Sequence, residues 1–341
     1  MIWAEAEGCR VVDTEGRNYI DLSGGFGVAA LGHRNPEVMA AVGAQADRCV
    51  HALGDLAEAN VAAELRARLR GSDGEVMLGV TGEDAVEIAL RTALLVTGRP
   101  GIVAFSGAYH GTGLLALAAT GFEQFRSPFA PWLPGPVHRR PYGEDPGPLP
   151  ADTACVIVEP VQGRAGAHVP PDGFLERLRE RCDETGALLV ADEIYTGLGR
   201  TGVLWRSGDL ADIVTCGKAL GGGLPISACL MGAELRSAWN LGAEDVYTHT
   251  HIGNPLAAAA ALVVLDRVPA LFERVVAAGE RFEAAGWHGA GLLRAKEGDA
   301  FAAWERGVIV IPAGEDGRYM SATPPLTITD QEIDEALELI G

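Results

Sequence analysis

The sequence predicts an α/β fold built on a largely parallel β-sheet. Short apolar segments typical of strands occur at about 75–80, 102–105, 154–158, 187–192, 212–216 and 226–231. Segments with helical character, at about 82–97 and 172–186, separate some of them. Because the strand segments are continuously apolar rather than alternating, they indicate a sheet that helices cover on both faces. With 341 residues, the chain is long enough for one large or two medium domains.

The two ends of the chain predict smaller elements. Residues 10–22 are typical of a hairpin turning at 14–16, and a helix is expected to begin at Pro36. A second helix is predicted at about 55–70, and Pro255 begins an alanine-rich helix to about 267, followed by one at about 268–285. The proline- and glycine-rich residues 127–150 predict a long irregular connection. A weak strand at 308–311 and a helix at about 331–340 indicate a separate small α+β unit.

Composition limits the partners and the compartment. The net charge of −19 argues against nucleic acid or an anionic membrane surface as partner. We find no apolar run that approaches the length of a bilayer span, and no signal pattern at the N-terminus. The six cysteines form no C-x-x-C pair, which favours buried free thiols in a reducing cytoplasm. We therefore expect a cytoplasmic protein that acts on small molecules.

Lys218 is the first candidate catalytic residue. Almost every basic residue is arginine, and lysine occurs only at Lys218 and Lys296. Lys218 follows an apolar strand segment, whereas Lys296 lies among charged residues and is expected at the surface. An amine can lose its proton when desolvated and form a Schiff base, which a guanidinium cannot do. Lys218 is therefore predicted to serve as a reactive amine.

Asp192 is the second candidate. It closes the apolar run 188–191, where carboxylates are more often helix caps or surface charges. Directly after four apolar residues, however, it is expected to be half-buried and to need a cation. A protonated pyridine nitrogen would meet that need.

Residues 81–84 predict an anion site at a helix start. Thr81 and Asp84 match a capping box, and the amides of Gly82 and Glu83 would then be free to bind a phosphate. A plain strand–helix junction is an equally good interpretation of these residues alone. The Glu83 carboxylate would have to point away from any phosphate.

Two other patterns are weaker. Residues 197–202 match the dinucleotide fingerprint G-x-G-x-x-G, but residues 203–208 have no helical period, so a nicotinamide site is not favoured. His249 and His251 are spaced like metal ligands, but no third ligand is evident. We predict no metal site.

Motifs along nearly the whole chain resemble those of the class III pyridoxal-phosphate (PLP) aminotransferases of fold type I. The residues that carry the resemblance, in the order in which they occur in that family, are Gly32-His33, Tyr109-His110-Gly111, Glu159-Pro160-Val161-Gln162-Gly163, Leu188–Gly202 with Asp212–Pro225, Gly253-Asn254-Pro255-Leu256 and Pro324-Pro325-Leu326. The resemblance implies a large domain at about 45–256 with a mixed, mostly parallel sheet. It also implies a small α+β domain formed by both chain ends, 1–44 and 257–341.

The implied activity is ping-pong transfer of an amino group between an amino compound, either an amino acid or an ω-amine, and a keto acid or aldehyde. Alternatives within the same family are an aminomutase, a decarboxylase or a racemase. A relative that binds cofactor or a partner without turnover is a further alternative.

The resemblance also implies roles for single residues. Lys218 would hold the PLP aldehyde as a Schiff base and move a proton between the substrate Cα and cofactor C4′, while Asp192 would pair with the pyridinium nitrogen. Thr250 would reach the phosphate of the neighbouring subunit, which implies a homodimer. The remaining expected cofactor-binding residues are Thr81, Gly82, Glu83, Tyr109, His110, Glu159, Ile194 and Tyr195, with Tyr109 and Ile194 on the two ring faces.

Several positions depart from the family pattern. Tyr195 stands where many relatives have a glutamine, and we expect a shortened N-terminal leader and C-terminal domain. Arg164 replaces a glutamate and Ser321 an arginine. We expect Phe26 and Arg164 to contact substrate, with Arg164 binding the carboxylate of a keto acid by paired hydrogen bonds.

Other roles remain open for the positive charge of Arg164. Arg164 could instead point to solvent or pair with an acid such as Glu83. Arg318 could fold back into the role of the missing arginine.

Overall fold

The computed structural model describes residues 2–52, 61–70, 74–241 and 246–341. Its strands are β1 (Trp3–Glu7), β2 (Arg10–Asp13), β3 (Asn18–Asp21), β4 (Gly74–Gly79), β5 (Gly101–Phe105), β6 (Val137–Arg140), β7 (Thr153–Val158), β8 (Leu188–Asp192), β9 (Ile213–Cys216), β10 (Ser227–Gly232), β11 (His288–Ala290), β12 (Leu293–Glu297), β13 (Val308–Ile309), β14 (Ile311–Ala313) and β15 (Tyr319–Ala322). Its helices are α1 (Gly24–Gly27), α2 (Pro36–Ala46), α3 (Val61–Arg70), α4 (Gly82–Thr97), α5 (Leu114–Ala119), α6 (Glu123–Arg126), α7 (Phe174–Thr185), α8 (Ala233–Ser237), α9 (Pro255–Arg267), α10 (Phe272–Ala284), α11 (Ala300–Glu305) and α12 (Asp330–Ile340).

A central sheet has the strand order β4-β10-β9-β8-β7-β5-β6 in the described part of the chain. Strand β10 runs antiparallel to β4 and β9, and the other neighbouring strands are parallel. Every residue of β5 and β7 is buried, as expected for strands covered on both faces. The predicted mixed, mostly parallel sheet is confirmed. Its strand order places the ends of β8 and β9 side by side, with Asp192 opposite Thr215.

The two ends of the chain share a second sheet, in the order β1-β2-β3-β13. Ile20 of β3 is the parallel partner of Val308 in β13. A third, antiparallel sheet has the order β11-β12-β15-β14, in which Ser321 lies between Ala295 and Ile311. These sheets bring the C-terminal strands β14 and β15 against the N-terminal turn, where the amide of Thr323 donates to the Leu22 carbonyl at 2.6 Å.

Some predicted elements need correction. The connection 127–150 is not irregular throughout, because β6 adds to the edge of the central sheet and residues 127–132 form a 3₁₀ helix. Of the helix predicted at 55–70, residues 61–70 form α3, and residues 53–60 lie outside the described residues. Lys296 is half-buried in β12 rather than exposed at the surface.

The run Pro255–Ala284 also differs from expectation. It spans 30 residues and contains an 18-residue window with a mean hydropathy of 1.7, so by length and composition it could cross a membrane. The expectation that no run approaches this length was wrong. A 3₁₀ segment at 268–271 separates α9 from α10, and α9 packs against α2 and α3. The alanines at 257–261 are all buried, so the apolar character of α9 serves the protein core.

Candidate active site

A cavity of about 510 Å³ lies at the carboxyl ends of the central strands. Such ends are where ligands bind in open α/β sheets. It brings together every predicted site residue except Thr250. The lining residues are Phe26, Thr81, Gly82, Glu83, Tyr109, His110, Gly111, Glu159, Gly163, Arg164, Asp192, Ile194, Tyr195, Lys218, Ile311, Pro312, Ala313 and Ser321.

Lys218 lies two residues after the end of β9, with a left-handed backbone φ of 33°. Such a conformation is uncommon for a residue with a side chain and marks local strain. Its Nζ atom is 3.8 Å from the centroid of the Tyr195 ring. Burial lowers the pKa of Lys218 from 10.5 to about 8, although Asp192 and Glu159 act to raise it. The side chain is therefore an amine that can change protonation near neutral pH.

Asp192, at the end of β8, is buried and accepts hydrogen bonds on both oxygens. His110 Nδ1 is 2.7 Å from Oδ2, and the amide of Ile194 donates to Oδ1 at 3.1 Å. His110 Nε2 is also buried and has no hydrogen-bond partner among the described residues. A carboxylate in this environment favours a positively charged partner, because water is excluded from its surroundings.

Glu159 is a second buried acid in the cavity. Its carboxylate accepts hydrogen bonds from the amides of Tyr109 at 2.8 Å and Gly163 at 3.3 Å. Burial raises the pKa of Glu159 to about 7, with His110 lowering it and Asp192 raising it further. Glu159 can therefore hold a proton at neutral pH, as Lys218 can.

The predicted capping box at the start of α4 is confirmed. Thr81 Oγ1 accepts from the Asp84 amide at 3.3 Å, and Asp84 Oδ2 accepts from the Thr81 amide at 2.9 Å. The amides of Gly82 and Glu83 have no acceptor among the described residues. A Cβ atom on Gly82 would lie 3.0 Å from the Ile194 side chain, so the junction is closely packed. Two free amides at a helix N-terminus suit a phosphate.

The Glu83 carboxylate points away from this anion site, as a phosphate would require. Its Oε2 atom accepts from the amides of Thr112 at 3.0 Å and Gly113 at 3.1 Å. Glu83 thereby caps the loop before α5 and makes no ion pair with Arg164. The alternative in which Arg164 pairs with Glu83 is wrong.

Arg164 lines the cavity and is held by aromatic rings. Its guanidinium carbon lies 4.7 Å from the centroid of Tyr109, 5.0 Å from Phe125 and 6.0 Å from Phe122. No acid within 4.0 Å pairs with it in the described part of the chain. The backbone holds it too, since Gly314 donates to the Arg164 carbonyl at 2.9 Å. Cation–π contacts thus fix the side chain and leave its hydrogen-bond donors free.

Ser321 and Arg318 lie in different environments. Ser321 lines the cavity, is buried, and its Oγ atom has no hydrogen-bond partner among the described residues. Arg318 is 60% exposed and forms a 2.6 Å ion pair with Asp316 outside the cavity. The prediction that Arg318 could fold back toward substrate is wrong.

Sequence reasoning missed the wall formed by β14. Ile311, Pro312 and Ala313 line the cavity, but a strand of three residues with a proline gives no periodic signal. Phe26 also lies at the cavity, 53% exposed, with a left-handed φ of 63°. Gly24 allows its turn to approach the C-terminal strand closely, because a Cβ atom there would lie 2.6 Å from the Thr323 carbonyl.

Two predicted features lie away from the cavity. Thr250 is exposed and does not line the cavity of its own chain. The run 197–202 forms turns, and no helix begins at Gly202 in the described residues. The dinucleotide fingerprint therefore lacks the helix that it requires.

Sequence comparison matches the Aminotransferase class-III family over residues 1–285. Acetylornithine aminotransferase of Methanopyrus kandleri is 42% identical over 287 residues, covering 81% of this chain and 72% of that protein. The 4-aminobutyrate aminotransferase GabT of Escherichia coli is 33% identical over 395 residues, covering 98% and 91%.

Comparison with solved structures also finds aminotransferases. Ornithine aminotransferase from Toxoplasma gondii superposes with a TM-score of 0.91 at 29% identity, covering 99% of this chain and 89% of that one. The PLP-bound amine transaminase from an uncultivated Pseudomonas species has a TM-score of 0.90 at 27% identity, covering 100% and 93%.

The fold and the site together define an aminotransferase that uses PLP, which supplies an aldehyde and an electron-withdrawing ring. The site fits this cofactor: it offers free amides for a phosphate, a buried acid for the ring nitrogen and an amine for the aldehyde. The chain belongs to the class III aminotransferases. Its reaction is PLP-dependent transamination between an amino donor and a keto acid.

Proposed function

We propose that Lys218 binds the PLP aldehyde and transfers the proton during transamination, and that Asp192 stabilises the protonated ring nitrogen. The observation that carries this proposal is the position of Lys218, whose amine has a pKa of about 8, beside Asp192 in one cavity. An amine with this pKa can donate and accept a proton at physiological pH. His110, 2.7 Å from Asp192, would orient the carboxylate toward the ring.

The other lining residues would bind and orient the cofactor. The amides of Gly82 and Glu83, at the Thr81 cap, would hold the phosphate. Tyr109 and Ile194 would pack on the two ring faces. The remaining residues proposed to contact the cofactor are His110, Glu159 and Tyr195.

Reduction with borohydride tests the role of Lys218. In the PLP-loaded protein, borohydride should fix the pyridoxyl group covalently, and peptide mapping should place it on Lys218. Lys296 serves as an internal control because it is the other lysine of the sequence and does not line the cavity. A label on Lys296, or no label, would remove Lys218 from the proposed role.

We further propose a cytoplasmic homodimer in which Thr250 completes the phosphate site of the partner. The exposure of Thr250 and its absence from the cavity of its own chain support this role. Six free cysteines, five of them buried, suit a reducing compartment. Residues 45–256 would form the large domain, with 1–44 and 257–341 forming the small one.

For the acceptor, we propose that Arg164 binds the carboxylate of a keto acid. Its free donors and its position on the cavity wall support this assignment. Arg164→Ala should raise the KM for a keto acid roughly tenfold or more, since a hydrogen bond to a charged group contributes about 1.5–3 kcal/mol. It should leave a carboxylate-free aldehyde acceptor nearly unaffected.

Arg318→Ala is the matched control, because it removes an arginine that is paired at the surface. This substitution should change neither the KM for the keto acid nor the KM for the aldehyde acceptor. Equal losses with both acceptors in Arg164→Ala would return Arg164 to a structural role.

A further inference from the structure

The cavity contains few positive charges. Apart from His110, which is bound to Asp192, the described residues that line it include two basic side chains, Arg164 and Lys218. The ranges 53–60, 71–73 and 242–245 contain no lysine, arginine or histidine, so they cannot add another. Lys218 is assigned to the cofactor. Among the described residues that line the cavity, Arg164 is therefore the cation that remains for a substrate.

The aromatic rings around Arg164 keep this cation available. Tyr109, Phe122 and Phe125 contact the guanidinium through their faces and accept none of its conventional hydrogen bonds. A planar guanidinium with free donors binds one carboxylate in the two-pronged geometry. A carboxylate bound in this way uses the guanidinium N–H donors of Arg164 that face the cavity.

A second carboxylate on the same substrate would find an unfavourable environment. Glu159 and Asp192, which also line the cavity, are acids and offer no positive charge to a second carboxylate. Ser321, on the wall formed by β15, is buried with an unpartnered hydroxyl. It can donate one neutral hydrogen bond, but it cannot compensate the charge of a desolvated carboxylate.

We infer that the cavity selects 2-oxo monocarboxylic acids over 2-oxo dicarboxylic acids, with Arg164 as its single carboxylate anchor. This inference rests on the proposed function, in which Arg164 binds the acceptor. The selecting features are the lone guanidinium of Arg164 and the neutral, unpartnered hydroxyl of Ser321 on the cavity wall.

The test compares two acceptors of equal length, 2-oxopentanoate and 2-oxoglutarate, which differ in a terminal methyl or carboxylate group. The wild-type holoenzyme is first loaded with amino groups from a donor, and each acceptor is then added alone. Mass spectrometry of the product amino acid gives kcat/KM for each. We expect a preference for 2-oxopentanoate of roughly tenfold or more, the effect of one uncompensated charged contact.

Equal or better use of 2-oxoglutarate would overturn the inference while leaving transamination and the role of Lys218 intact. It would show that another cation, such as one from a partner subunit, faces the substrate. If neither acceptor yields an amino acid, the proposed acceptor class itself is wrong and the inference falls with it.

Ser321→Arg tests the neutral wall directly. The added cation should move the kcat/KM ratio toward 2-oxoglutarate by roughly tenfold, by the same charged contact. Ser237→Arg, the same change at an exposed serine of α8, should leave the ratio unchanged. A folded Ser321→Arg protein with the wild-type ratio would contradict the inference, and if this variant does not fold, the wild-type comparison decides.

Discussion

Lys218 should be an unusually reactive amine in the protein without cofactor. With a pKa of about 8 instead of 10.5, roughly one amine in ten is unprotonated at pH 7. For an ordinary lysine that fraction is roughly one in three thousand. The unprotonated fraction is therefore on the order of 300-fold larger, because the two pKa values differ by 2.5.

Two substitutions should move this pKa in opposite directions. The positive charge of Arg164 lowers the pKa of Lys218, so Arg164→Gln should raise it. The negative charge of Asp192 raises that pKa, so Asp192→Asn should lower it. A purely structural disturbance of the cavity has no reason to produce shifts of opposite sign.

The assay is modification of the apoprotein by 1-fluoro-2,4-dinitrobenzene, which reacts with unprotonated amines and has no titrating group of its own in this pH range. Samples treated between pH 6 and pH 10 are digested, and the peptides with Lys218 and Lys296 are quantified by mass spectrometry. The rate at Lys218 should level off above about pH 8, and PLP should block it. A rate that keeps rising to pH 10, or shifts of the same sign in both variants, would refute the reasoning.

Three further changes have defined outcomes. Asp192→Asn should leave the protein folded by circular dichroism but lower kcat well beyond tenfold, since the ring nitrogen loses its counter-charge; a loss within about threefold would contradict its role. Thr250→Ala should need more added PLP for full activity, because a hydrogen bond to the charged phosphate contributes about 1.5–3 kcal/mol. Sedimentation of the wild-type protein should find a dimer, and an active monomer would refute the shared site. Gly163→Ala should lower the free energy of unfolding by about 1–3 kcal/mol, because its Cβ atom would lie 2.1 Å from the Tyr195 ring. The control is Gly43→Ala in α2, where a Cβ atom would have no neighbour within 4 Å, and this change should not lower stability. If the Gly163→Ala protein melts at the same temperature as the wild type, Tyr195 can move to make room.

The central sheet could be predicted from the sequence because its strands are buried on both faces. Such strands appear as apolar runs, as in β7 and β8, and their helices carry clear boundary signals such as the Thr81 capping box. Strand β6 could not be predicted this way. It is half-buried at the sheet edge, and its sequence Val-His-Arg-Arg has no apolar run.

In the candidate site, the reactive residues were easier to predict from the sequence than the residues that surround them. Lys218 and Asp192 stand out in the sequence because each is an unusual residue type for its place after an apolar strand. The environment of Arg164 gave no such signal, since the rings of Phe122 and Phe125 come from a segment about forty residues earlier. Arg318 directly precedes β15 and Ser321 lies within it, three residues further on. Because side chains along a strand point to alternate faces, the register of β15 decides that Ser321 faces the cavity, and the sequence does not specify this register.

The pairing of β3 with β13 sets the order in which the cavity can be completed during synthesis. Ile20 leaves the ribosome long before its partner Val308, by on the order of tens of seconds at typical elongation rates. Until then the N-terminal hairpin lacks its neighbouring strand, and the cavity lacks the wall of residues 311–313. The nascent chain must keep these open edges from pairing with other chains. Tight capture of PLP should accordingly be a late event, after the C-terminal strands have docked.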